Sequence, residues 1–112
     1  MPDHTNNAAA NRAVLDALLA HGDALTQPRE IDHFAYFPTR EGQTQFVDAC
    51  IAAGFKLRTT MDPSDHSEQF GAIVWHIDVP LDDASVKITD MLIDLAEQAG
   101  GEYDGYETQV VA

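Results

Sequence analysis

Residues 69–79 read QFGAIVWHIDV, the most apolar stretch of the chain. Its Val, Ile and Trp residues favour a β-strand, and their density indicates a central strand that is buried on at least one face. Pro80 ends this strand, because proline has no N–H group to donate to a sheet. The sequence therefore predicts a sheet that is built around this segment.

Three further segments are predicted to be strands. Residues 31–37 are dense in aromatic and β-branched side chains, and residues 55–60 alternate apolar with polar side chains. Residues 102–111 mix Tyr, Thr and Val, and we expect a bend at Gly105. With segment 69–79 they predict a four-stranded sheet.

Apolar residues recur at three- and four-residue spacing in three other segments, which predicts three helices. The first spans residues 8–21. The second begins after Thr39, whose hydroxyl can cap its N-terminus. The third begins at Asp82 or Asp83, either of which can cap it, and ends at Gly100.

The predicted order is a helix, then strand, helix, strand, strand, helix and strand. This is the βαββαβ pattern of a ferredoxin-like α+β sandwich with an extra N-terminal helix. We expect one domain over residues 1–112, with residues 1–7 as a flexible N-terminus. The sheet is expected to be antiparallel, with the first and third strands central. The two later helices would cover one face, which leaves the other face for a partner, for the extra helix or for a second subunit.

The chain is strongly acidic, and its charge is uneven. It has 19 Asp and Glu residues against 6 Lys and Arg residues, a formal net charge of −13. Residues 59–112 hold 12 acids and one base, Lys87. Such a chain repels phosphate, so we expect a basic protein partner and no direct binding of nucleic acid or of anionic membranes.

The sequence favours a cytoplasmic location. One cysteine allows no internal disulfide, the start of the chain lacks the pattern of a signal peptide, and no apolar run approaches the roughly 20 residues of a membrane helix. Cys50 lies on the apolar face of the second predicted helix, so we expect a buried thiol rather than a nucleophile.

No catalytic pattern is identifiable from spacing, so we expect no enzyme, no cofactor and no metal. One alternative stays open. His33 and His76 fall in strands that we expect to be neighbours, and beside Asp32 or Asp78 they would form a small metal-binding domain or an enzyme site. A third ligand is missing from the pattern.

Acidic residues recur along the third predicted helix, on the face opposite its apolar stripe: Asp83, Asp90, Asp94 and Glu97. This face is either ordinary solvated surface or a docking strip that attracts Arg- or Lys-rich partner segments.

The end of the chain carries a family motif. Residues 100–110 read GGEYDGYETQV, which resembles the closing motif of the regulator of ribonuclease E activity B (RraB) family, Glu-Tyr-Asp-Gly-Trp-x-Thr. Residues 28–38, PREIDHFAYFP, resemble family members with an aromatic first strand, and the element order matches as well. Tyr106 stands where the family usually has Trp.

The resemblance implies a ferredoxin-like domain without catalytic activity that binds the protein scaffold of an endoribonuclease and lowers its activity. The expected function is therefore inhibition of ribonuclease E. Tyr103 and Tyr106 could instead be structural residues at the edge of the core, and a homo-oligomer could form through the open sheet face. The residues expected to bind the partner are Asp90, Asp94, Glu97, Glu102, Asp104, Tyr106 and Glu107.

Overall fold

A computed structural model of the protein describes residues 7–64, 68–79 and 82–109. These residues form all seven predicted elements. Three predictions reach outside the described residues. They are the flexible segment 1–7, the end of the last strand, and the capping side chains of Asp82 and Asp83. The elements are α1 (Asn7–Ala20), β1 (Arg29–Phe37), α2 (Arg40–Ala52), β2 (Lys56–Met61), β3 (Phe70–Asp78), α3 (Asp82–Gln98) and β4 (Glu102–Thr108).

The four strands make one antiparallel sheet in the order β2-β3-β1-β4. The class is therefore α+β, and the prediction that the first and third strands are central is confirmed. β1 and β3 pair along their whole length, from Arg29 opposite Asp78 to Phe37 opposite Phe70. The two edge strands, β2 and β4, each show one register shift.

The core lies between one face of the sheet and helices α2 and α3. Along β1, alternate residues from Arg29 to Phe37 are buried, while those between them are half-buried or exposed. The sheet therefore has a helix-covered face and an open face. α1 packs mainly against α3, so it extends the helical layer and leaves the open face uncovered by that packing.

Two local features hold the helices against the sheet. Thr39 caps α2 as predicted, because its Oγ1 accepts a hydrogen bond of 3.1 Å from the backbone N–H of Gly42. Gly101, at the entry to β4, lies so close to the ring of Phe37 that a Cβ atom there would overlap it. This close approach brings the end of α3 onto the sheet and fixes where β4 begins.

Candidate functional site

The helix-covered face holds a cluster of polar aromatic side chains between the central strands and β4. His33 is 2% exposed, and its ring stacks on that of His76 with 5.0 Å between the ring centroids. The Nδ1 atom of His33 and the hydroxyl of Tyr103 form a hydrogen bond of 2.9 Å. The prediction that the two histidines meet is therefore confirmed.

Burial keeps this cluster uncharged. Burial, and to a lesser extent the neighbouring His76, lowers the pKa of His33 to about 3. Burial also lowers the pKa of His76, with Asp78 acting in the opposite direction, and raises the pKa of Tyr103. Near pH 7 the cluster therefore consists of neutral imidazoles and a protonated phenol, which stabilise the fold through packing and a hydrogen bond.

The geometry gives little support to a metal site at this cluster. Asp32 points to the opposite face of the sheet, where it pairs with Arg58, so its predicted place beside the histidines is wrong. Asp78 lines the same cavity as the two histidines, but this cavity measures only ≈ 10 Å³, about the size of one water molecule. Within ranges 7–64, 68–79 and 82–109, no group of three or more His, Cys, Asp or Glu side chains could hold a metal ion.

Cys50 is fully buried, as predicted. Burial raises the pKa of its thiol to about 12. Because the thiolate is the reactive form, this side chain behaves as a small apolar residue in the packing of α2.

The closing motif forms a β-bulge. Phe34 of β1 pairs with Gly105, but the next residue, Ala35, pairs with Tyr103, so Asp104 is an extra residue in the ladder. Gly105 has a φ of 131°, a conformation that side chains rarely adopt, so the predicted bend at this glycine is confirmed. Tyr103 and Tyr106 consequently both face the helix-covered side.

Both tyrosines of the motif contact His33. The ring centroids of Tyr103 and Tyr106 lie 6.0 and 5.7 Å from that of His33, and Tyr103 also packs against the core. Tyr103 therefore has the structural role that the sequence had left open. Tyr106, which was predicted to contact the partner, is half-buried with its ring directed inward.

The predicted acidic residues occupy two different settings. On β4, Glu102, Asp104 and Glu107 are exposed, and none has an ion-pair partner within the described part of the chain. On α3, Glu97 is exposed, whereas Asp90 and Asp94 are half-buried and take part in interactions within the fold; the side chain of Asp83 is outside the described residues. The three carboxylates on β4 are thus the best presented to a partner.

The open face carries side chains that the sequence reading missed. Across the strands, Lys56, Trp75, Asp32 and Glu107 stand in one row, which runs from basic through aromatic to acidic. Arg58 lies over the indole of Trp75 at 5.1 Å and pairs with Asp32 at 2.7 Å. The alternation along β1 in the sequence places the even-numbered residues of this strand on the open face. Which basic side chain lies over which ring depends on how the strands pair, which the sequence does not show.

A groove of ≈ 440 Å³ follows the edge of β4, and we call it the β4 groove. Phe34 and Tyr36 line it from β1, the bulge residues Asp104 and Gly105 line it from β4, and α1 and Thr89 of α3 form its far wall. No Lys or Arg lines this groove among the residues that the structure describes.

None of the helices in the described ranges is long and apolar enough to span a membrane.

These features define an acidic α+β fold in which His33 is buried and neutral and the exposed carboxylates of the edge strand β4 have no ion-pair partner among the described residues. A comparison with known protein families matches residues 8–108 to the family described as Regulator of ribonuclease activity B. The chain belongs to this family, so the resemblance seen in the closing motif is confirmed. A comparison with curated proteins finds no match. The family name identifies a ribonuclease regulator rather than an enzyme.

Proposed function

We propose that this protein is a non-enzymatic regulator that binds a basic segment of ribonuclease E and thereby lowers RNA degradation. The proposal rests on family membership and on one observation of the molecule. The exposed carboxylates of β4, Glu102, Asp104 and Glu107, have no ion-pair partner in the described part of the chain.

Electrostatics supports a basic protein as the partner. Residues 82–109 contain a single base, Lys87, so α3 and β4 together present a field of one sign. Such a field accelerates the encounter with a cationic segment and repels nucleic acid, so regulation would act on the protein part of the ribonuclease. Asp90, Asp94 and Glu97 would steer the partner, and the β4 carboxylates, with Tyr106 behind them, would contact it.

The structure also supports the proposed fold type and the proposed cellular location. The strand order β2-β3-β1-β4, with two helices on one face, supports a ferredoxin-like sandwich. A single, buried cysteine supports the reducing environment of the cytoplasm.

A pull-down with a fragment of the ribonuclease E scaffold, at low and at high salt, tests the proposal. We expect binding at low salt that weakens at high salt, because the attraction between exposed charges is screened. The triple variant Glu102→Gln, Asp104→Asn and Glu107→Gln is expected to bind more weakly than the wild type.

The matched control removes three exposed acids elsewhere, with Glu41→Gln, Asp48→Asn and Glu68→Gln. It has the same change in net charge, so equal weakening by both triple variants would mean that bulk charge, and not β4, attracts the partner. Failure of the folded wild type to bind at either salt, or cleavage by ribonuclease E that is unchanged in its presence, would remove the proposed function.

A further inference from the structure

The open face shows how this protein binds one of its own arginines. Arg58 lies over Trp75 with 5.1 Å between its guanidinium carbon and the ring centroid, and it donates hydrogen bonds of 2.7 Å to Asp32 and to Glu30. These carboxylates, Glu30 first, raise the pKa of Arg58. The aromatic ring supplies a flat surface, and the carboxylates supply the opposite charge.

The same arrangement recurs at a second ring. Arg40 lies over Phe70 at 5.0 Å and donates a hydrogen bond of 2.9 Å to Asp62. A stacked guanidinium with a carboxylate at its edge therefore occurs twice in this protein, once on the open face and once at the end of the helix-covered face, where Phe70 pairs with Phe37. Planar guanidinium groups both stack on rings and fork onto carboxylates.

The β4 groove has the same components without the cation. Phe34 and Tyr36 are half-buried aromatic residues on β1, and no Lys or Arg of the described residues lies over either ring. Phe34 is paired with Gly105, which has no side chain to cover it, and Tyr36 is paired with Glu102.

The carboxylates around this groove would be stabilised by a positive charge. Glu107 stands directly opposite Asp32 on the neighbouring strand, and facing like charges destabilise a sheet. Asp32 is paired with Arg58, but Glu107, Asp104 and Glu102 have no ion-pair partner among the described residues.

Five of the six Lys and Arg residues are engaged elsewhere, and the sixth, Lys87 of α3, does not line the groove. Arg12 pairs with Asp16 on α1, Arg29 pairs with Asp23, and Lys56 lies over Trp75. Arg40 and Arg58 occupy the two sites described above. The groove therefore has no cation of its own among the described residues, and we expect one from another molecule.

We propose that the β4 groove is an arginine-binding site that receives an extended, arginine-rich segment of a protein partner. Arginine side chains of the segment stack on Phe34 and Tyr36 and pair with Glu102, Asp104 and Glu107. Phe34 and Tyr36 are two residues apart on one strand, roughly 7 Å, which matches arginines at alternate positions of an extended chain. This inference rests on the proposed function and names the chemistry of the partner.

The test compares two short peptides of equal length and charge, one with arginine and one with lysine at alternate positions. Fluorescence anisotropy at fixed, low salt gives both affinities for the folded full-length protein. We expect tighter binding of the arginine peptide, by up to about two- to fivefold for each ring that is used. The full stacking energy of a cation at an exposed site sets this upper limit.

Variants locate the effect. Phe34→Leu with Tyr36→Leu is expected to abolish the preference for arginine, whereas Phe70→Leu, at a ring that Arg40 already covers, is expected to leave it intact. Glu107→Gln is expected to weaken both peptides more than the control Glu41→Gln. If the double variant does not fold, as judged by circular dichroism, the single variants Phe34→Leu and Tyr36→Leu supply the same test, and each is expected to reduce the preference for arginine.

Equal affinities for the two peptides, or a preference that survives in the double variant, would overturn the arginine site. So would binding of a single-stranded RNA oligonucleotide in place of the peptide. If the ribonuclease E scaffold still binds in these cases, the proposed function stands. Conversely, the protein could prefer the arginine peptide and yet fail to bind the scaffold. That result would overturn the proposed function, while the arginine-binding site would stand.

Discussion

The two faces of the sheet are built from the same strands, yet they treat titratable side chains in opposite ways. On the helix-covered face, His33 is buried, and its pKa is lowered to about 3. On the open face, Asp32, the preceding residue, pairs with a charged arginine that is 39% exposed. Adjacent residues of one strand thus differ in charge because one is removed from water and the other is not.

We therefore expect the helix-covered face to determine stability, and the open face and the β4 edge to bind a partner. The helix-covered face is stabilised by apolar packing, and its charged Arg29 is buried in a pair with Asp23. The open face and the β4 edge keep charges and rings near the surface, and we expect single substitutions there to have small effects on folding. Four predictions test this division, from the largest expected effect to the smallest.

Phe37→Ala should cause the largest loss of stability. Phe37 is fully buried and packs against Phe46 with 5.1 Å between the ring centroids. Removing a core phenylalanine costs about 4 kcal/mol in the free energy of unfolding, because a cavity remains. Phe34→Leu, three residues away on the open face, should cost much less in the same urea titration. Equal losses would mean that the open face is part of the core.

Asp23→Asn should destabilise the protein by about 3 kcal/mol, because it leaves the guanidinium of Arg29 buried without its counter-charge. The side chains of this pair are 4% and 0% exposed. The same change at Asp32, whose pair is 39% and 29% exposed, should have a much smaller effect. Chemical denaturation gives the free energy of unfolding of both variants. A larger decrease for Asp32→Asn than for Asp23→Asn would contradict the contrast between the faces.

The pKa of His33 predicts a loss of stability in mild acid. Its pKa is lower in the folded state, so the unfolded chain binds the proton first. The stabilisation is complete above about pH 6.5, the pKa in the unfolded chain. It decreases as the pH falls and is lost by about pH 3, the pKa in the folded protein. Between pH 6.5 and 5 this amounts to about 2 kcal/mol.

His33→Asn provides the control for this effect, since asparagine keeps a polar group near the hydroxyl of Tyr103 but does not titrate. Urea unfolding at pH 7.5 and at pH 5 should show a smaller difference for the variant than for the wild type. An identical difference would show that His33 does not remain neutral in the folded protein.

Gly105→Ala should have the smallest effect of the four, a loss of about 1 kcal/mol. The cause is conformational, because φ is 131° and a Cβ atom would meet no neighbour within 4 Å. Asp104→Ala, at the adjacent exposed position of the bulge, should leave thermal stability nearly unchanged. A loss at Asp104 equal to that at Gly105 would mean that the bulge depends on the carboxylate.

The local sequence was sufficient to predict the elements of this fold. Apolar periodicity located the three helices and four strands, and Thr39 marked the start of α2. The order of the elements predicted the central strands, because few arrangements of two such helices and four strands avoid crossed connections. The closing motif identified the family.

The sequence could not supply the pairing register. A regular strand would place Tyr103 and Tyr106 on opposite faces, because side chains alternate along a strand. The bulge at Asp104 adds one residue to the ladder and turns both rings toward His33. Similarly, the place of α1 against α3 depends on contacts between residues that are far apart in the chain.

The sequence by itself determined the elements, the acidic second half and the family of this protein, because propensity, charge and motif are properties of neighbouring residues. Only the tertiary structure decided which carboxylates are left without a cation. Arg58 reaches Asp32 across a strand, while Glu107, one strand further, has no ion-pair partner among the described residues. The physical reason is that an ion pair depends on distance in space, and that distance is set by strand order and register.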